Sequence, residues 1–308
     1  MTQRFVVRPG DGRTLSELLD RAHVDVGALV DGRVFVGQRR ATDPNVSLSV
    51  GDEVFVAKRT APEEATVLLG RDRDIFAFLK PAGLPTVPDR RGNTSLLHSA
   101  ARELGMKPTE LHVVTRLDTN VSGIVVIASG KDATRRAASL QDQGGLVRRY
   151  LGLSLRAPSP PAGIWNRAIP VKPRAATRSD RVETRAASTA YRVVAEANRT
   201  PEGLPALVAF QPLTGRTHQI RIHAAGASAP LLGDVAYGGP RRVVVESGTV
   251  LDVARVALHA CRVELASAGA AAFRVEAPHP VDLVSLWVRL GGGADAFDVA
   301  RSMPMEDG

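Results

Sequence analysis

Cysteine is almost missing from this chain: Cys261 stands alone among 308 residues. A single thiol excludes an internal disulfide framework and a thiolate zinc cluster, and it suits a reducing compartment. No uninterrupted apolar run approaches the roughly 18 residues that a membrane helix needs. The opening residues, MTQRFVVRPGDGR, hold no secretory hydrophobic stretch. A soluble, cytoplasmic, monomeric protein is expected. There is no Gly-x-Ser-x-Gly elbow, no Walker loop and no dinucleotide fingerprint, which removes the common hydrolase, NTPase and nucleotide-cofactor readings. What is present is ordinary globular material, with 44% hydrophobic and 23% charged residues, so wholesale disorder is excluded.

Lysine is also scarce, with five among the 40 basic residues. The net charge is +8, and its position is more informative than its size. Residues 135–185 carry eleven basic side chains against the three acids Asp142, Asp180 and Glu183, a surplus equal to that of the whole chain. Arginine binds phosphate through a planar fork and stacks on bases. A GC-rich genome would also favour arginine, but it would not cluster it. A one-sided basic stretch is the footprint of a polyanion, and RNA is the expected partner. Neutralising Arg174, Arg178 and Arg181 together is therefore expected to weaken RNA binding more than the same change at Arg39 and Arg40. Salt-dependent binding titrations check this, and equal losses at the two places would reject it.

Residues 1–60 read as a small α+β module. TLSELLDRAHV has apolar residues at helical spacing, with Thr14 and Glu17 forming a capping box. Short alternating strands follow around Val34–Val36 and Val54–Val56. RTAPEEAT, residues 59–66, reads as a linker. Residues 61–290 form the larger domain, of class α+β with a mixed or antiparallel sheet. TSLLHSAARELG is an amphipathic helix ended by Gly105, and DATRRAASLQDQG is a second helix. GIVVIASG is a buried strand. In RYLGLSLRA, Leu151, Leu153 and Leu155 face one way, and Tyr150, Gly152, Ser154 and Arg156 the other. The tail 291–308 has little to bury and is expected to be mobile.

Two segments could carry chemistry. In RLDTNVSGIVVIASG, Asp118 lies in a turn-forming stretch directly before the buried strand. On these residues alone, Asp118 could equally satisfy turn amides or pair with Arg116. In PLTGRTHQIRIHAAG, Arg216, His218, Gln219, Arg221 and His223 crowd eight positions. Periodicity leaves a strand and a short helix, capped by Thr217 and ended by Gly226, equally open. His218 and His223 are five apart, which fits neither helical nor strand spacing for a shared metal, so no metal site is expected. His259 in ALHACRVEL reads as a satisfied structural histidine.

The strings KPAGL, RLDTNVSG, RRY, TGRTHQIRIHAAG, PLLGDVAYGG and LHA, in this order over residues 67–278, resemble the RluA-type pseudouridine synthases. Residues 1–60 resemble the small RNA-binding module of ribosomal protein S-four. The resemblance implies isomerisation of uridine in ribosomal or transfer RNA: the glycosidic bond breaks, the base rotates, and C5 rejoins C1′. It implies no cofactor and no metal. It matches the family's catalytic aspartate to Asp118, its tyrosine to Tyr150, and the arginine that pairs the aspartate to Arg221. Arg116 matches the residue that fills the space left by the extruded base. Arg148, Arg149, Arg216 and His218 are expected to bind the RNA. Two positions depart from the family pattern, Thr115 where histidine is usual before RLD, and Val121 where threonine is usual before SG. The His-Pro pair that commonly follows LHA is also absent. Two rival readings follow from the residues. One is a catalytically silent RNA-binding or ribosome-assembly factor on the same fold. The other is a nucleosidase, which lacks a convincing second carboxylate near Asp118.

Overall fold

A computed structural model describes residues 3–22, 24, 34–37, 39–41, 43–56, 66–88, 94–170, 183–266 and 273–305. The arginine-rich positions Lys172, Arg174, Arg178 and Arg181 lie outside the described residues, as does most of the linker stretch. The chain divides into two compact units, 1–65 and 66–308.

In the first unit, β1 (Gln3–Val6), β2 (Val34–Val36), β3 (Arg39–Arg40) and β4 (Glu53–Val56) form an antiparallel sheet in the order β1-β4-β2-β3. Helix α1 (Leu15–Arg21) starts at the expected capping box. The Glu17 amide donates to Thr14 Oγ1, and the Thr14 amide donates back to the Glu17 carboxylate. Its Leu15, Leu18 and Leu19 join Val34, Val54 and Val56 in a separate small core.

The second unit begins with β5 (Val67–Asp72) and β6 (Ile75–Lys80), the latter ended by Pro81. Helix α2 (Leu96–Leu104) starts at Ser95 and stops where Gly105 turns left-handed, and β7 (Leu111–Val113) follows. Next come β8 (Ser122–Ser129), α3 (Gly130–Asp142), β9 (Leu146–Ser154) and β10 (Ala162–Asn166). A two-stranded ribbon of β11 (Ile169–Pro170) and β12 (Thr184–Arg185) leads to β13 (Ser188–Glu196) and β14 (Ala206–Pro212). Helix α4 (Gln219–Gly226) resolves the ambiguous HQIRIH segment as a helix, entered through His218 and not through Thr217. A second ribbon, β15 (Arg242–Val244) with β16 (Val250–Asp252), precedes β17 (Leu258–Leu265) and β18 (Phe273–Glu276). Helices α5 (Val281–Arg289) and α6 (Ala296–Ser302) close the chain.

The main sheet runs β10-β13-β14-β9-β17-β8-β6-β5, with β18 added to β17 and β7 to β8. Every pairing is antiparallel except β17 with β8, so the α+β class with a mixed sheet holds. Alternation along the strands feeds apolar residues to both faces. On one face Phe76, Val125, Tyr150 and Phe210 pack under Ala100 and Ala101 of α2 and Ile220 and Ala224 of α4. Leu151 and Leu153 of β9 point to the other face, against Leu286 and Trp287 of α5 and Phe297 of α6. Tyr150 therefore stands opposite Leu151, Leu153 and Leu155, as the alternation requires.

The C-terminal tail differs from expectation. Ala296, Phe297 and Ala300 lie on one face of α6 and are buried with Met305. The segment is tied further by Arg149 Nη1, which donates to the Met303 carbonyl at 3.0 Å. Three apolar residues at helical spacing, with Met305 beyond the helix, dock a stretch expected to have little to bury. No described helix is long and apolar enough to cross a membrane. Cys261 is buried, and burial pushes its thiol up to about 12, which makes it an inert core residue.

Candidate active site

Asp118 sits in the short loop that enters β8, and the KPAGLPT segment fixes that loop from both sides. Thr86 Oγ1 donates to the Leu117 carbonyl at 2.8 Å and accepts from the Leu117 amide at 3.2 Å. Past the aspartate, the Thr119 carbonyl accepts from the Gly83 amide at 2.7 Å and from Lys80 Nζ at 3.1 Å. Lys80 is fully buried and also donates to the carbonyls of Pro81 and Leu84. Burial, aided by the Arg255 charge and opposed by Asp118, brings its amine down to about 7. Three carbonyl acceptors match the three hydrogens of the ammonium form. Turn residues flanking Asp118 are thus satisfied by neighbours, which leaves its side chain for other work.

That side chain meets α4. Arg221 Nη1 donates to Asp118 Oδ2 at 2.8 Å, while Arg221 Nε and Nη2 hold both oxygens of Asp234 at 2.7 Å each. Burial opposes the guanidinium charge, but its hydrogen bonds to Asp234 and then to Asp118 outweigh it, so the group's pKa is raised. Asp234 is 1% exposed and both its oxygens are engaged, whereas Asp118 keeps 26% of its side-chain surface open. The second carboxylate that a nucleosidase would need is present, but it is sealed behind Arg221.

His218 lies on the other oxygen, its Nε2 3.6 Å from Asp118 Oδ1, and its Nδ1 is 2.9 Å from the Tyr237 hydroxyl. The Arg221 guanidinium also lies over the Tyr237 ring, 5.0 Å from its centre. The loop before α4 is held by Gln219, whose carbonyl oxygen accepts from Thr214 Oγ1 and the Arg216 amide. Its amide group donates to the Ser188 carbonyl and to Thr189 Oγ1.

Tyr150 is buried on the same face of the sheet as the α4 contacts. Burial raises its pKa, with Arg148 lowering and Asp118 raising it, so its phenol is within electrostatic reach of the aspartate and stays protonated at neutral pH. Arg116 is exposed two residues before Asp118, and Arg216 is exposed with Nε on the Ala186 carbonyl. Arg148 donates to the carbonyls of Pro212 and Thr214, which ties β9 to the loop before α4. Arg149 is not brought to this site: its side chain lies on the far face with Cys261, Arg262 and Met303.

Thr115 is buried, and its Oγ1 accepts from the Val126 amide at 2.8 Å, so this departure from the family pattern faces the scaffold. His223 spends both ring nitrogens on Thr189 Oγ1 and the Arg167 carbonyl. His259 is buried against Ser122 Oγ at 2.8 Å, and burial pushes it down to about 3. Among the described residues, no group of His, Cys, Asp and Glu is arranged to hold a metal ion. Sequence reasoning quoted but did not assign Lys80, Asp234 and Tyr237. The signal for the last two was the Gly-Asp-Val-Ala-Tyr-Gly string, whose polar pair returns to Arg221 only once the chain is folded.

The site thus presents a partly open carboxylate fixed by a buried arginine, an arrangement suited to chemistry through an aspartate. Residues 74–226 match the family model described as RNA pseudouridylate synthase. An RNA pseudouridine synthase of Zymomonas mobilis is 31% identical over 218 residues, covering 68% of this chain and 91% of that protein. Ribosomal large subunit pseudouridine synthase C of Escherichia coli is 28% identical, covering 80% of this chain and 81% of that one. The mitochondrial pseudouridylate synthase of Rattus norvegicus is 31% identical over 206 residues, and the aligned part is 59% of this chain but only 54% of that longer protein. Human RNA pseudouridylate synthase domain-containing protein 4 shares the fold, with a TM-score of 0.55 at 24% identity over 72% of this chain and 92% of that one. This chain belongs to the RNA pseudouridylate synthase family.

Proposed function

We propose that this chain converts uridines of ribosomal RNA to pseudouridine, with Asp118 as the reacting carboxylate. The observation that carries this reading is the Asp118–Arg221–Asp234 chain: it holds an ionised carboxylate in place while leaving it reachable from solvent. In the reaction the N1–C1′ bond breaks, the freed base turns, and C5 bonds to C1′. One proton is lost from C5 and one is gained at N1, so the change is a pure isomerisation. Asp118 assists the cleavage at the sugar, either at C1′ or by taking a neighbouring proton, and both routes need the carboxylate charged and aimed.

Tyr150 supplies an aromatic wall for the extruded base. Its raised pKa favours stacking over proton abstraction by a phenolate. Arg116, exposed two residues before the aspartate, and Arg216, exposed on the loop before α4, are assigned to the RNA. The name of the Escherichia coli relative supports large-subunit ribosomal RNA over transfer RNA as the substrate.

The test is mapping of pseudouridine in cellular RNA after deletion, with rescue by the wild-type chain and by Asp118→Asn. One or more sites should vanish on deletion and return only with the wild type. Equal rescue by both would remove the enzymatic reading and favour the silent RNA-binding factor.

A further inference from the structure

We propose that His218 is a positioning residue for the Asp118 carboxylate, and that the Tyr237 hydroxyl sets which of its ring nitrogens carries the hydrogen. This deepens the isomerase reading and rests on it. Arg221 fastens only one oxygen of Asp118, Oδ2. A carboxylate held at one oxygen can still swing about its Cβ–Cγ bond, and a misplacement of about 1 Å costs roughly a hundred-fold in rate. Oδ1 has His218 Nε2 in front of it at 3.6 Å. That is longer than a hydrogen bond, and such contacts commonly tighten when substrate closes the site.

The backbone supports a dedicated role. His218 has φ +57°, a left-handed conformation that a non-glycine residue holds only at an energetic cost. It occupies the N-cap of α4, yet its side chain makes no capping hydrogen bond. The imidazole is therefore spent elsewhere than on the helix it starts. Both ring nitrogens face protein groups, Nδ1 toward Tyr237 at 2.9 Å and Nε2 toward Asp118.

The chemistry has one consistent direction. For a neutral imidazole with Nε2 facing a carboxylate, the favoured arrangement has the Tyr237 phenol, which burial keeps protonated, donating to Nδ1. Nε2 then carries the imidazole hydrogen and presents it to Oδ1. The opposite tautomer would set a lone pair against the carboxylate. Tyr237 also carries the Arg221 guanidinium on its ring, so one side chain steadies both groups that grip Asp118.

The experiment uses the full chain with His218→Asn, His218→Gln, Tyr237→Phe and the His218→Asn/Tyr237→Phe pair. Asparagine accepts the left-handed backbone and can mimic Nδ1, but it is too short for Asp118, whereas glutamine places an amide N–H near the position of Nε2. Single-turnover rates and RNA affinities are measured on an RNA that the wild type modifies, and melting temperatures check the fold. His218→Asn should slow turnover about a hundred-fold with RNA affinity unchanged, and His218→Gln should recover about ten-fold of that. The paired variant should be no slower than His218→Asn alone. Nitrogen-15 spectra of the histidines should show His218 with its hydrogen on Nε2 in the wild type, and a mixture in Tyr237→Phe.

Weakened RNA binding at an unchanged rate would make His218 an RNA contact and overturn the proposal, as would additive losses or a hydrogen on Nδ1. A wild-type chain that forms no pseudouridine would overturn the isomerase reading itself. Wild-type activity that Asp118→Asn lacks, combined with full activity of His218→Asn, would overturn the positioning role alone.

Discussion

Arg221→Met is expected to destabilise the fold by about 3–5 kcal/mol, whereas Asp118→Asn, which cuts the same ion pair, should cost about 1 kcal/mol or less. The difference lies in what each change leaves behind. With Asp118 neutralised, Arg221 still holds both oxygens of Asp234 and remains compensated. With Arg221 removed, Asp234 is left as a carboxylate with 1% exposure and no cation on either oxygen. Asp118 loses its partner as well but keeps access to water. Since a domain is stable by only about 5–15 kcal/mol, the first change removes a large share and the second does not. Urea unfolding of the two variants measures this. Asp234→Asn placed in the Arg221→Met background should restore part of the stability and none of the activity. Equal losses for the two single variants would show that Asp234 does not depend on Arg221.

The ion pair at the centre of the site was implied by the family resemblance of the strings that hold Asp118 and Arg221, not by either string alone. Their third partner was not. Asp234 follows Arg221 by thirteen residues and a turn, and only the folded chain brings it back to the guanidinium. The same holds for Tyr237 and for Lys80, whose work is done through the carbonyl of Thr119, 39 residues away. Strand parity, in contrast, was fully legible. Alternation put Tyr150 opposite Leu151, Leu153 and Leu155, where the structure has it. Applied one residue further back, the same rule sends Arg148 and Arg149 to opposite faces, so both could not bind RNA beside Asp118. Arg149 is found on the leucine side, with Met303 of the tail. The tail was harder to read, because the apolar residues Ala296, Phe297 and Ala300 make only one short helical face behind a glycine run. They matter only because α5 and the back of the sheet offer them a surface.

Gly123→Ala is expected to destabilise the fold by more than about 4 kcal/mol. Gly123 is where the Asp118 loop becomes the central strand, at the only place where β8 and β17 pair in parallel among the described strands. Its φ is +119°, and an added Cβ would stand 2.2 Å from the Ala260 oxygen and 2.5 Å from the Ala260 nitrogen. Those are backbone atoms of a strand that is paired on its other edge with β9, so they have no rotamer to yield into. Beside them, Ser122 Oγ and His259 Nδ1 meet at 2.8 Å across the same junction, which ties the two strands together and prevents them from spreading. Backbone strain alone is not enough to account for a loss of this size. Gly105 also has a left-handed φ, +66°, but a Cβ there would meet nothing within 4 Å. Gly105→Ala should therefore cost about 1 kcal/mol, the price of the left-handed conformation by itself. The pair separates the two causes: similar unfolding free energies for Gly105→Ala and Gly123→Ala would mean that the close strand approach does not govern this junction. A large gap, with residual folded Gly123→Ala losing turnover more than RNA affinity, would tie the geometry of this crossing to the placement of Asp118.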